Sequence, residues 1–390
     1  MRGRAAVVLA LMAATAVAGE PGELSAVEIR AVMRHGPWPQ PVLRDASNRV
    51  SGDPAGTALG QRLFFDSRLS SNGTVGCATC HVPGNAWTDG RARAVGLGPL
   101  DRNTPTVLDA GLGRWFGWDG AADSLWSFAL KPLTDPREMG ASAQHVAQAI
   151  RGDRALSCLY AAAFREPPGD GERTLVNAAK ALAAYVETLR SGRTPFDDFR
   201  DALARSDAAA MSRYPEAARR GLRTFVGRGN CSVCHFGASF TNGEFHDVGI
   251  PFSLGGGRVD AGRHDGIKRL RTSPFNLLGP HSDDPTGAAA TKTRHVEANH
   301  ANFGQFKVPS LRNVALTAPY MHDGRLATLR DVVKHYSELD MDRVHADGEA
   351  LLRPLKLSGA EVEDLVAFLE TLTGAEATVV TGRLTTPCTP

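Results

Sequence analysis

The chain has 390 residues, long enough for two ordinary domains. With 42% apolar and 22% charged residues, its composition excludes the disordered and membrane-embedded classes. Its 44 basic and 42 acidic residues nearly cancel, which argues against nucleic acid as a partner.

The first segment, "MRGRAAVVLALMAATAVAGE", reads as a leader. Arg2 and Arg4 make a basic start, an apolar run follows, and Ala16-Val17-Ala18 forms a small-residue cleavage site. Residues 1–18 are therefore expected to be a secretory signal peptide, which sends the mature chain to the periplasm. Cleavage removes both arginines and leaves 42 residues of each sign. No later apolar run is long enough to span a membrane.

Next comes "GQRLFFDSRLSSNGTVGCATCH", in which Cys77, Cys80 and His81 have the spacing C-x-x-C-H. It returns as "GLRTFVGRGNCSVCH", with Cys231, Cys234 and His235. Each reads as a covalent c-type haem site. A bare C-x-x-C also serves zinc or thiol redox chemistry, but the histidine directly after each pair favours haem. Both stretches begin Gly-x-Arg-x-Phe, at Gly60, Arg62, Phe64 and at Gly221, Arg223, Phe225. Both units close alike, with "AYVETL" at 184–189 and "AFLETL" at 367–372. The chain is an internal duplication. The fold expected is mainly α: two cytochrome c-like domains, 19–207 and 208–390, each holding one haem, with the boundary in "RSDAAAMSRYPEAARR".

Within the second copy lies a long irregular stretch, about 248–305, rich in glycine. Its histidines, His264, His281, His295 and His300, raise a metal site; the plainer reading is a solvated insertion. The segment "TAPYMHDGRLATLRDVVKHYSELDM" then offers six candidates for the far side of the second iron: Tyr320, Met321, His322, His335, Tyr336 and Met341. Thr328 and Asp331 look like a helix start. Leu329, Val332, Val333, Tyr336 and Leu339 form its apolar stripe, with His335 on the wet side. Pattern thus turns Tyr336 inward, without saying whether it reaches iron or is a core tyrosine. In "LSGAEVEDLVAFLETLTG", Ser358 and Glu361 predict a capping box before the last helix. Cys158 and Cys388 remain outside the haem motifs. Export permits a bond between them, and spacing leaves a bond and two free thiols both open.

The stretches "LFFDSRLSSNGTVGCATCH", "RNTPTVLDAG", "WDGAADSLW", "PREMG" and "VPSLRNVALTAPYMHDG" together resemble the bacterial di-haem cytochrome c peroxidases and their relative MauG. The resemblance covers nearly all of the mature chain. It implies that His81 holds the first iron and His235 the second, and that Tyr336 stands where the peroxidases place a methionine on the second iron, as in MauG. It places Leu97 where many peroxidases carry a histidine that blocks the first iron, so that iron is expected to be open; His145 is the alternative blocking group. Glu138 falls at the position of the acid-base carboxylate, with Pro132 lining the same pocket and Phe128 where the family often has a glutamine. Trp118, in "GRWFGWDG" beside Trp115, matches the tryptophan between the haems. Asn103, with the carbonyls of Thr317 and Pro319, matches a Ca²⁺ site.

The implied activity is MauG-like. Hydrogen peroxide forms high-valent iron, which oxidises a residue, a tryptophan, of a secreted partner protein at long range, as the methanobactin-associated MbnH type does. The alternatives are a peroxidase that draws electrons from a small cytochrome c or cupredoxin, and a di-haem electron carrier without catalysis.

Overall fold

The computed structural model describes residues 24–41, 43–169, 171–251, 253–344, 351–374, 378–379 and 388. The expected leader at 1–18 lies outside the described residues. The fold is mainly helical, and its strands form only short two-stranded ladders among the described residues.

The duplication is visible as two helix crossings. Helix Pro54–Phe64 packs on Glu172–Val186, and helix Glu216–Val226 packs on Gly359–Glu370. The repeated glycine marks each crossing. A Cβ on Gly60 would lie 1.9 Å from the Ala181 carbonyl oxygen, and one on Gly221 would lie 1.9 Å from that of Asp364. The helices therefore touch backbone to backbone, which only glycine permits. Gly221→Ala is expected to cost about 1–3 kcal/mol, as overpacking does. At roughly 2–4 °C per kcal/mol, thermal denaturation of the holoprotein should show it. Gly359→Ala, whose Cβ would meet nothing within 4 Å, should leave the midpoint almost unchanged.

Each crossing seeds an apolar core. The first gathers Leu59, Leu63, Phe64, Trp126, Leu133 and Tyr185; the second gathers Phe225, Phe240, Leu365 and Phe368. Packing crosses the 207/208 division of the sequence, because Val32, Phe196 and Phe199 join the second core. Both expected capping boxes are present, at Ser358 with Glu361 and at Thr328 with Asp331. Cys158 and Cys388 are disulfide-bonded, with their Cα atoms 5.9 Å apart, so the end of the chain is tied to the first core.

The insertion departs from its solvated reading. It contains a hairpin, Ser253–Gly255 with Arg258–Val259, and helices Arg263–Thr272 and Ala288–His295. Its charges are ion-pair partners for the first unit. Arg102 makes a fork to Asp260, and Arg269 pairs with Asp119. Arg263 is buried and donates to the Asp119 and Gly120 carbonyls. A polar, glycine-rich sequence looked loose because these partners lie far away along the chain.

Candidate haem sites

Each C-x-x-C-H motif begins with a short turn: the first carries both cysteines, the second carries Cys231 and is capped by Cys234, and the histidine comes directly after. His81 follows helix Cys77–Cys80, and His235 follows the turn Cys231–Val233. His81 Nδ1 lies 3.2 Å from the Trp87 carbonyl, and His235 Nδ1 lies 3.0 Å from that of Phe240. Such a bond commits the Nδ1 proton and leaves Nε2 to bind a metal. Burial lowers the proton affinity of both rings, that of His235 to about 4, so both stay neutral, as a ligand must. The four thiols are free of disulfides.

The residues fit the group that the motifs imply. A cavity of about 920 Å³ is lined by Cys231, Cys234, His235 and Tyr336. That is at the upper end of the range for small-molecule and cofactor sites.

Of the six candidates for the far side of the second iron, Tyr320, Met321, His322 and Tyr336 line this cavity. The Tyr320 hydroxyl donates to the Val314 carbonyl at 3.0 Å. His322 is buried and stacked on Phe306, ring centroids 3.5 Å apart. Tyr336 makes no hydroxyl hydrogen bond among the described residues. Burial raises its proton affinity above the usual phenol range, and the two cysteines of the motif add to the effect. Deprotonation there requires a cation at the oxygen, which is what a ferric iron provides. His335 is half-buried rather than wet: the insertion brings the Val248 carbonyl to 2.7 Å from its Nε2. Met341 is 37% exposed.

The first site has a different far side. Helix Leu125–Thr134, capped by Ser124, turns Phe128 and Pro132 to its half-buried face. The Met139 amide donates to the Pro132 carbonyl at 3.0 Å, which brings Glu138 back over that helix. The Glu138 carboxylate is 19% exposed and pairs with Lys131, a partner that sequence reasoning missed. Its charge is felt at Cys77, Cys80 and His81. The Leu97 amide donates to the Glu138 carbonyl at 2.9 Å. His145 Nε2 lies 2.9 Å from the Arg68 carbonyl.

The two far sides are copies of one structure. Asp109 and Asn313, at φ 57° and 58°, each cap a 3₁₀ turn. The bridges Phe116–Ala122 and Tyr320–Leu326 follow, then caps Ser124 and Thr328. Counted from those caps, Pro132 and Tyr336 hold the same position on their helices, and so do Phe128 and Val332. One unit presents a phenol at that place. The other presents a proline, which has nothing to offer a metal.

Trp118 lies on the wall of the second site. It lines the large cavity, and its Nε1 donates to the Asn103 carbonyl at 2.9 Å. Trp115 is 4% exposed, with Arg263 4.4 Å and Lys292 4.9 Å from its ring centroid. Cations over an indole face disfavour removal of an electron from it, and no such cation stands over Trp118 among the described contacts. Asn103, Thr317 and Pro319 all border the cavity. The Asn103 side-chain amide donates to the Arg91 carbonyl at 2.8 Å.

The family profile described as "Di-haem cytochrome c peroxidase" matches residues 54–204. The methylamine utilization protein MauG of Methylorubrum extorquens is 37% identical over 85% of this chain and 82% of its own length. The cytochrome-c peroxidase IdrP2 of a Pseudomonas species is 32% identical over 83% of each chain. Among solved structures, a MauG-like protein associated with microbial copper homeostasis superposes with a TM-score of 0.64 at 30% identity. The match covers 90% of this chain and 97% of that one. No helix among the described residues is long and apolar enough to cross a membrane.

Proposed function

The chain belongs to the di-haem cytochrome c peroxidase family of oxidoreductases, which includes MauG. From that premise, we propose that it uses hydrogen peroxide to oxidise a tryptophan of a secreted partner protein at long range. The observation that carries this reading is the single duplicated position where Pro132 faces one site and Tyr336 the other.

A c-type haem on each motif supplies iron that takes up the oxidising equivalents of peroxide and later receives electrons from a substrate. His81 would hold the first, and Pro132, Phe128 and Leu97 offer no second ligand atom there. The Glu138 carboxylate accepts a proton from one peroxide oxygen and returns it to the other. Lys131 pairs with that carboxylate. Tyr336 and His235 would hold the second iron, where a phenolate oxygen would favour its more oxidised states. Trp118 carries charge between the two. Asn103, with the carbonyls of Thr317 and Pro319, holds a calcium ion that ties the units together. The balance is two electrons and two protons per peroxide, giving two waters. The leader at 1–18 directs all of this to the periplasm.

The runner-up is a peroxidase fed by a small cytochrome c or cupredoxin; relatives named cytochrome-c peroxidases support it at 32% identity. Steady-state peroxide consumption with reduced cytochrome c separates the two. Slow turnover, together with an oxidised state that persists after peroxide is exhausted, is the expected outcome. Rapid turnover would establish the peroxidase, and no reaction with peroxide would leave an electron carrier.

A further inference from the structure

Lys307 is a cation of the large cavity that no carboxylate among the described residues pairs with. It lies on the short strand Phe306–Lys307, paired with Phe245–His246. Its amide donates to the Trp118 carbonyl at 2.8 Å, and its Nζ donates to the Trp115 carbonyl at 3.2 Å. It lines the same cavity as His235 and Tyr336. No described carboxylate forms an ion pair with it. The nearest to act on it, Asp119, is already held by Arg102 at 2.6 Å and by Arg269. Of the other cations of the cavity wall, Arg114 pairs with Glu244 at 3.1 Å and Arg228 with Glu361, while Arg353 donates to the Leu352 carbonyl at 2.9 Å.

An ammonium withdrawn from water and facing only carbonyls is costly. The cavity must therefore bring an anion to it. The haem that the motif binds carries two carboxylates, its propionates, on one edge. We infer that Lys307 pairs with a propionate of the second haem and thereby turns that haem's propionate edge toward Trp118. The same residue then links haem and relay: its side chain holds the propionate, and its amide holds the Trp118 backbone. Desolvation pushes the Lys307 amine down to about 8, so an adjacent carboxylate also keeps it charged at neutral pH.

This inference rests on the second motif carrying haem, and the test separates the two. Haem content of the purified holoprotein is counted first as the pyridine haemochrome; fewer than two haems per chain would overturn the premise and the inference with it. With two haems present, Lys307→Met is compared with wild type by spectroelectrochemistry and by resonance Raman of the propionate bending band. The expected result is a downward shift in the midpoint potential of the second haem, because a cation that favours the reduced state is gone. Loss of the strong hydrogen bond should also displace the propionate band. Lys307→Arg should keep both near wild type, and Lys307→Gln provides the same comparison if the methionine variant does not assemble. An unchanged potential and an unchanged propionate band in an assembled, charge-removed variant would overturn the pairing while leaving the family reading intact.

Discussion

Tyr336→Phe converts the second haem from six-coordinate low-spin to five-coordinate high-spin. The argument is one of supply. Phenylalanine keeps the ring and removes the phenol oxygen proposed to hold that iron. Of the other candidates, three are engaged elsewhere. The Tyr320 hydroxyl is spent on Val314, His322 is stacked against Phe306, and the His335 ring is held at Val248. The low-spin ferric signal should vanish and the high-spin signal should double in electron paramagnetic resonance. Tyr336→Met should restore the low-spin state at a higher potential, because a thioether favours the reduced iron. That variant should accept electrons from a small donor protein more readily and store oxidising equivalents less well.

Glu138→Gln slows the reaction with peroxide by on the order of 10²–10⁴-fold, the usual worth of a positioned acid-base group. The amide keeps the shape of the carboxylate but cannot accept the proton. Phe128 cannot compensate, since its ring lacks hydrogen-bonding atoms. Stopped-flow mixing of ferric protein with peroxide measures the effect directly. The resting spectra of both haems should be unchanged, because Glu138 touches neither ligand. A full-speed reaction in the variant would remove Glu138 from the chemistry.

Much of this architecture could be read before any fold was known, because its signals are local. A C-x-x-C-H motif is contiguous, and the Gly-x-Arg-x-Phe repeat marks a helix crossing that recurs with the same close approach at Gly60 and Gly221. The inward phase of Tyr336 follows from helical period alone. What stayed hidden depends on distance along the chain. Cys158 finds Cys388 across a separation of 230 residues. The insertion supplies Arg269 to Asp119 and Asp260 to Arg102, pairings that no window of sequence contains. The kinship of Pro132 and Tyr336 was masked for the same reason: the insertion lengthens the path from the second haem motif to its helix. Only the matching turns and caps, seen in three dimensions, align the two. Lys131 went unnoticed because a surface lysine on a helix is ordinary until its partner is known to be Glu138.

Electron paramagnetic resonance of the ferric, peroxide-free holoprotein bears most directly on the contrast between a proline and a tyrosine at one repeated place. Integrated spectra should contain one high-spin and one low-spin haem in equal amounts, with cyanide converting only the high-spin component. Two low-spin haems, both indifferent to cyanide, would contradict it.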